Sequence, residues 1–187
     1  MLDLKAFVRR GSKPSHDKKL RREVNMRIKT LIVNALIAAL YFVVTAFVAP
    51  FGFLNIQFRL SELFNHLIVF NKKYFFGIVF GVFISNLILS PTKADLIFGV
   101  LHTAISLGIT LLFARFIKHK ISLMFINTAV FSFNMFIIAY MLKVFVGLKD
   151  GFMFLWLTLG VSEFATMALA IIIIYFINKR LDLERLI

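Results

Sequence analysis

Six apolar runs, joined by short polar links, take up most of this 187-residue chain. Lipid offers no water to backbone N–H and C=O groups, so each run must satisfy its own backbone as a helix. The runs cover Ile28–Ala49, Ile56–Phe70, Tyr74–Leu89, Leu96–Phe116, Ile121–Val146 and Phe152–Ile177. A helical span needs about 20 residues, with a range of about 17–25. The second and third runs are short by that rule, since about 15 residues cover about 22 Å of a roughly 30 Å hydrocarbon core. Either they are short helices beside a cavity, or their ends enter the membrane as non-helical backbone. Fusing them into one broken span is opposed by Asn71, Lys72 and Lys73, which make a natural interfacial loop. The expectation is an all-α membrane protein with six transmembrane helices.

Composition agrees. Hydrophobic residues make up 60% and charged residues 17%, with a mean hydropathy of +0.90, far from the soluble norm. No cysteine is present, which removes disulfides, thiolate metal sites and thiol nucleophiles together. The net charge of +13 does not point to nucleic acid, because ten of the 22 Lys and Arg precede Leu31 and most others punctuate apolar runs. That distribution is a topology signal.

Positive charge on the cytoplasmic side then sets orientation. With the N-terminus inside, the inner segments hold the basic head, Lys72/Lys73, Arg115/Lys118/Lys120 and Lys179/Arg180/Arg185. The outer ones keep Arg59, Lys93, Lys143 and Lys149. Both termini are expected in the cytoplasm. The chain divides into a basic segment (1–27), a six-helix domain (28–178) and a short tail (179–187). In the basic segment, Gly11 and Pro14 interrupt a mixture of Lys, Arg and apolar residues. Anchoring on anionic lipid and docking of a cytoplasmic partner both suit it.

Ionisable groups in a bilayer are costly and usually functional. Three carboxylates qualify, Glu62, Asp95 and Glu163, and under this topology they lie in the outer half with Asn86 and, near mid-depth, Asn134. Polar groups from five helices at compatible depth suit a small-molecule pocket open to the outside. Helix capping competes for Asp95, which follows Pro91-Thr92. It competes less for Glu163, because mid-helix there is no free amide to cap. Glu62, Asn65 and His66 share a helix face, but no second ligand cluster supports a metal there. Gly77, Gly81 and Ser85 recur every four residues, as internal packing requires. For Ala35 and Ala39 the same spacing suits internal packing or a partner helix. No Walker A, G-x-S-x-G or H-E-x-x-H sequence occurs, so no enzyme is expected.

The run Asn34-Ala35-Leu36-Ile37-Ala38-Ala39-Leu40-Tyr41, followed by Gln57-Phe58-Arg59-Leu60-Ser61-Glu62, resembles the substrate-binding (S) component of energy-coupling factor vitamin transporters. Within these it is most similar to the queuosine-precursor type. Gly81 with Asn86-Leu87, Asp95-Leu96-Ile97-Phe98-Gly99, Asn134, and Gly160-Val161-Ser162-Glu163 continue the likeness in order. Ser162-Glu163 and Asn134-Met135 stand where the family usually has Gly-Glu and Asn-Ala.

The resemblance implies an S-component-like bundle in a prokaryotic plasma membrane. It also implies a 7-deazaguanine-type ligand held by Glu62, Asn86, Asp95, Asn134 and Glu163, with no cofactor or metal. A carboxylate and an Asn amide can read the donor-rich edge of such a base, and Phe53, Phe58 or Trp156 are available to stack on it. The implied partners are a membrane coupling subunit, met through Ala35 and Ala39, and two cytoplasmic ATPase subunits. The S component is expected to topple in the membrane when ATP is used. An S component for another vitamin or heterocycle is the alternative within transport, and a membrane scaffold is the alternative outside it.

Overall fold

A computed structural model describes residues 14–48, 60–90 and 92–187 of the chain. Residues 1–13 of the basic segment, and Phe53, Gln57, Phe58 and Arg59, lie outside the described residues.

Helix α1 runs from Pro14 to Val48. Proline suits a first turn, where its missing N–H costs nothing. At 1.5 Å per residue α1 is about 52 Å long, against a hydrocarbon core of about 30 Å. The basic residues from Lys18 to Lys29 therefore continue the first span as helix, and no turn separates them from it. Further along, Asn34, Ile37, Ala38 and Tyr41 are buried at i, i+3, i+4 and i+7 and form the face turned to the bundle.

The second apolar run folds, over Leu60–Val69, as a 3-10 helix that we label α2. Its rise of about 2.0 Å per residue makes it about 20 Å long, so the short second run is a short helix in the described residues. Asn71–Lys73 form a turn before α3, Tyr74–Leu89, as their polarity required. Helix α4 spans Lys93–Phe113, α5 Lys120–Val146 and α6 Phe152–Leu181. Of the six helices, α1, α4, α5 and α6 are long and apolar enough to cross a membrane, and α3 is a shorter apolar helix.

Helix α5 departs from the uninterrupted run seen in the sequence. It is α-helical over Lys120–Asn134 and Phe136–Met141 and ends in a π turn over Leu142–Val146, closed by Gly147 at φ 75°. At the first break the Met135 N–H bonds back to Ser132 at 3.3 Å, one residue short of the α-helical partner. His102 of α4 engages the neighbouring Phe131 carbonyl at 3.1 Å, so the break is pinned from the adjacent helix.

Helices successive in the chain alternate in direction. Lys120, at the start of α5, donates to the Val69 carbonyl at the end of α2 and pairs with Glu184, just beyond α6. The Tyr74 hydroxyl at the start of α3 donates to the Leu183 carbonyl at 2.7 Å. The ends of α2 and α6 thus share one end of the bundle with the starts of α3 and α5.

Two separate apolar clusters fill the interior. The larger, around Leu67, Tyr74, Ile78, Leu107, Phe131, Met167 and Ile174, occupies that end. The smaller joins Met135, Ile138, Ala139, Met141, Leu155 and Leu159 at the opposite end. Outward faces remain apolar, with Leu31, Phe47, Phe116 and Val161 among the exposed side chains. Burial of such a surface needs lipid or a partner.

Candidate ligand site

Between and beside the two clusters lies a band of buried polar side chains. It includes Glu62, Asn65, His66, His102, Thr103, Ser106, Thr110, Asn127, Asn134 and Glu163. Polar groups removed from water must find hydrogen bonds or cost a few kcal/mol each, so their partners define the architecture.

Glu62, 1% exposed, accepts from the Tyr41 hydroxyl of α1 at 3.2 Å and from the Asn65 amide one turn along α2. The Asn65 carbonyl accepts from the Asn127 amide of α5 at 3.2 Å. The Asn127 side-chain oxygen accepts from Thr110 of α4 at 2.7 Å, and the Thr110 hydroxyl also reaches the Ser106 carbonyl. The Ser106 hydroxyl in turn accepts from the Asn134 amide at 2.9 Å. Hydrogen bonds thus connect the residues from Glu62 to Asn134 across α2, α5 and α4, passing through the backbone carbonyls of Asn65 and Ser106.

Glu163, 3% exposed, is placed by α6. One turn before it, Gly160 backs onto α5, where an added Cβ would stand 3.0 Å from the Ser132 carbonyl. One turn after it, the Met167 carbonyl meets His66 Nε2 of α2 at 3.0 Å. Helices α2 and α6 run in the same direction, and Glu62 and Glu163 each precede a member of that contact by four residues. Four residues span about 8 Å in a 3-10 helix and about 6 Å in an α-helix. Residues 62 and 163 therefore stand at comparable depth along the bundle, each about one turn before the same contact.

Asn86 and Asp95 form a different group. The Asn86 amide donates to the Asp95 backbone carbonyl at 2.9 Å and fills the space where a Gly99 side chain would sit. The Asp95 carboxylate accepts from Thr92 at 2.9 Å and from Ser90, which ties down the α3–α4 link. These two residues are joined to each other, and no hydrogen bond among the described residues joins them to the Glu62–Asn134 run.

His66 is committed on both ring nitrogens, to Met167 and to Asn127 at 3.3 Å, and offers neither to a metal. Trp156 donates to the Phe133 carbonyl at 2.9 Å and lies in an outward-facing groove of about 410 Å³ between α5 and α6, walled by Phe133, Val161 and Phe164. None of the five polar candidates lines that groove. Ala35 and Ala39 are exposed on α1, turned away from the bundle, whereas Gly77 and Gly81 pack inside against Asn34 and Tyr41.

Reasoning from sequence missed Tyr41, Asn127, Ser106, Thr110 and His102. A signal existed on α4, where Thr103, Ser106 and Thr110 recur at three- and four-residue spacing within an apolar run. On α5, Asn127 stands seven residues from Asn134, on the same face.

A helical bundle with several apolar spans, an apolar exterior and carboxylates buried inside defines a multi-pass membrane protein. Residues 31–179 match the QueT transporter family, and the chain belongs to that family. It is 38% identical over 165 residues to the "Queuosine precursor transporter QueT" of Lactococcus lactis subsp. cremoris (strain MG1363), covering 83% of this chain and 95% of that protein. No solved structure matches the chain.

Proposed function

We propose that this protein is the S component of an energy-coupling factor importer and captures a 7-deazaguanine-type queuosine precursor from outside the cell. The observation that supports this reading most is that Glu62 and Glu163 are both buried carboxylates, each four residues before the His66–Met167 contact. A carboxylate accepts from the ring and exocyclic N–H groups of such a base, and an aminomethyl substituent would be matched by a second carboxylate. Asn134 joins the same network and supplies an amide for the remaining edge. Asn86 and Asp95, which hold the α3–α4 link, are assigned in this reading to the mouth of the site. A site built to hydrogen-bond a substrate rejects analogues that lack the donor, by as much as 10⁴–10⁵ in favourable cases.

Both termini lie in the cytoplasm in this reading, consistent with Lys72/Lys73, Arg115/Lys118/Lys120 and Lys179/Arg180/Arg185 at one end of the bundle. The division into a basic segment (1–27), a membrane domain (28–178) and a tail (179–187) follows the same charge pattern. Energy comes from two ATPase subunits reached through a membrane coupling subunit, since the chain carries no P-loop sequence. Exposure of Ala35 and Ala39 supports their role as the surface that the coupling subunit's helices approach.

Mass spectrometry of small molecules extracted from the purified protein tests the reading. A 7-deazaguanine base in the extract is the expected result. A different vitamin or heterocycle would reassign the substrate, and a protein that holds no small molecule and binds no 7-deazaguanine would favour a scaffold.

A further inference from the structure

His66 is buried, four residues from Glu62, with its ring nitrogens engaged by Met167 and Asn127. Its surroundings fix its proton. The Asn65 backbone carbonyl can only accept, so the Asn127 atom facing it at 3.2 Å is the amide nitrogen, which also faces His66. An amide nitrogen only donates, so His66 Nδ1 must accept. The ring is then the neutral tautomer with its proton on Nε2, and that proton is donated to the Met167 carbonyl at 3.0 Å.

This bond keys α2 to α6 along their common direction. Helix α2 is a ten-residue 3-10 helix, and each residue of slippage moves its side chains by about 2.0 Å along the axis and about 120° around it. Either displacement would carry Glu62 away from the level of Glu163.

We infer that His66 is a positioning residue, a neutral imidazole clamp between Asn127 and the Met167 carbonyl that sets the depth of Glu62 against Glu163. Its bearing on binding rests on the ligand site proposed above. A clamp of this kind needs one acceptor and one donor at fixed spacing. Glutamine supplies both, and phenylalanine supplies neither.

The test uses the full chain, which contains no cysteine, with spin labels on Leu60→Cys and Val161→Cys at exposed positions of α2 and α6. His66→Phe is expected to shift or broaden the label-to-label distance by about 2 Å, one 3-10 residue, while His66→Gln keeps the parent distance. In calorimetry with 7-deazaguanine, His66→Phe should bind at least about ten-fold more weakly and His66→Gln within about three-fold of the parent. In a Glu62→Gln background, His66→Phe should add less than about three-fold, because the group it positions is already altered.

Coincident distances in all three proteins would overturn the clamp, as would His66→Gln behaving like His66→Phe. Full additivity with Glu62→Gln would also overturn the positioning role. Distances that move as expected in a protein that binds no 7-deazaguanine would uphold the clamp and sink the ligand assignment instead.

Discussion

The side-chain oxygen of Asn34 accepts the backbone N–H of Gly77 at 2.9 Å, and a Cβ on Gly77 would stand 2.5 Å from that same oxygen. The bond and the missing side chain are one device: α1 and α3 come close enough for a side chain to reach backbone only because position 77 is glycine. Four residues on, Gly81 meets the Tyr41 Cβ in the same way, at 2.8 Å from its own absent Cβ.

Gly77→Ala should therefore destabilise the protein by about 1–3 kcal/mol, the usual range for overpacking. Thermal unfolding in detergent checks it, and a transition unchanged from the parent would show that the helices part at no cost. Gly81→Ala should behave alike, whereas Gly108→Ala, with open space around it, should not.

Glu163→Gln should weaken 7-deazaguanine binding by about 1–3 kcal/mol while leaving the bundle folded, as expected when a hydrogen-bonding partner is mismatched in a buried site. Calorimetry reads this directly. Equal affinity in the variant would reduce Glu163 to an interhelical contact.

Asp95→Ala separates the two polar groups. Its carboxylate holds Ser90 and Thr92, so loss of the side chain should lower the thermal midpoint by the equivalent of about 0.5–2 kcal/mol, as removal of a helix-start partner does. Affinity should fall less than it does for Glu163→Gln. A larger loss of affinity than of stability would move Asp95 into the pocket proper.

How far the site could be read in the sequence depended on which partner each residue meets. Glu62 and Glu163 were legible because a carboxylate inside an apolar run is costly wherever it points. The glycine spacing on α3 was legible because close helix approach has a fixed period. The break at Met135 was not, since it owes nothing to proline or glycine and is held by His102 from another helix. Asn127 was overlooked for a similar reason: its neighbours in space are Asn65, His66 and Thr110, none of them near it in the chain.

Ala39→Leu should separate folding from transport. Position 39 is exposed, so the larger side chain should change stability by no more than about 0.5 kcal/mol and leave ligand affinity intact. Co-purification with the ATPase-bearing partners and uptake by cells should both be lost. Uptake at the parent rate would remove this face from the docking surface.

The two apolar clusters bear on how the molecule yields. Cooperative unfolding needs a continuous set of contacts, and here hydrogen-bonded polar groups interrupt it. The smaller cluster, built from the latter part of α5 and the first turns of α6, should open at a lower free energy than the larger one. Amide exchange would then divide the chain into a fast half around Met135–Leu159 and a slow half around Leu67–Ile78. Under the proposed function, a solute admitted at the fast half would leave the slow half closed, and its entry would need no global unfolding.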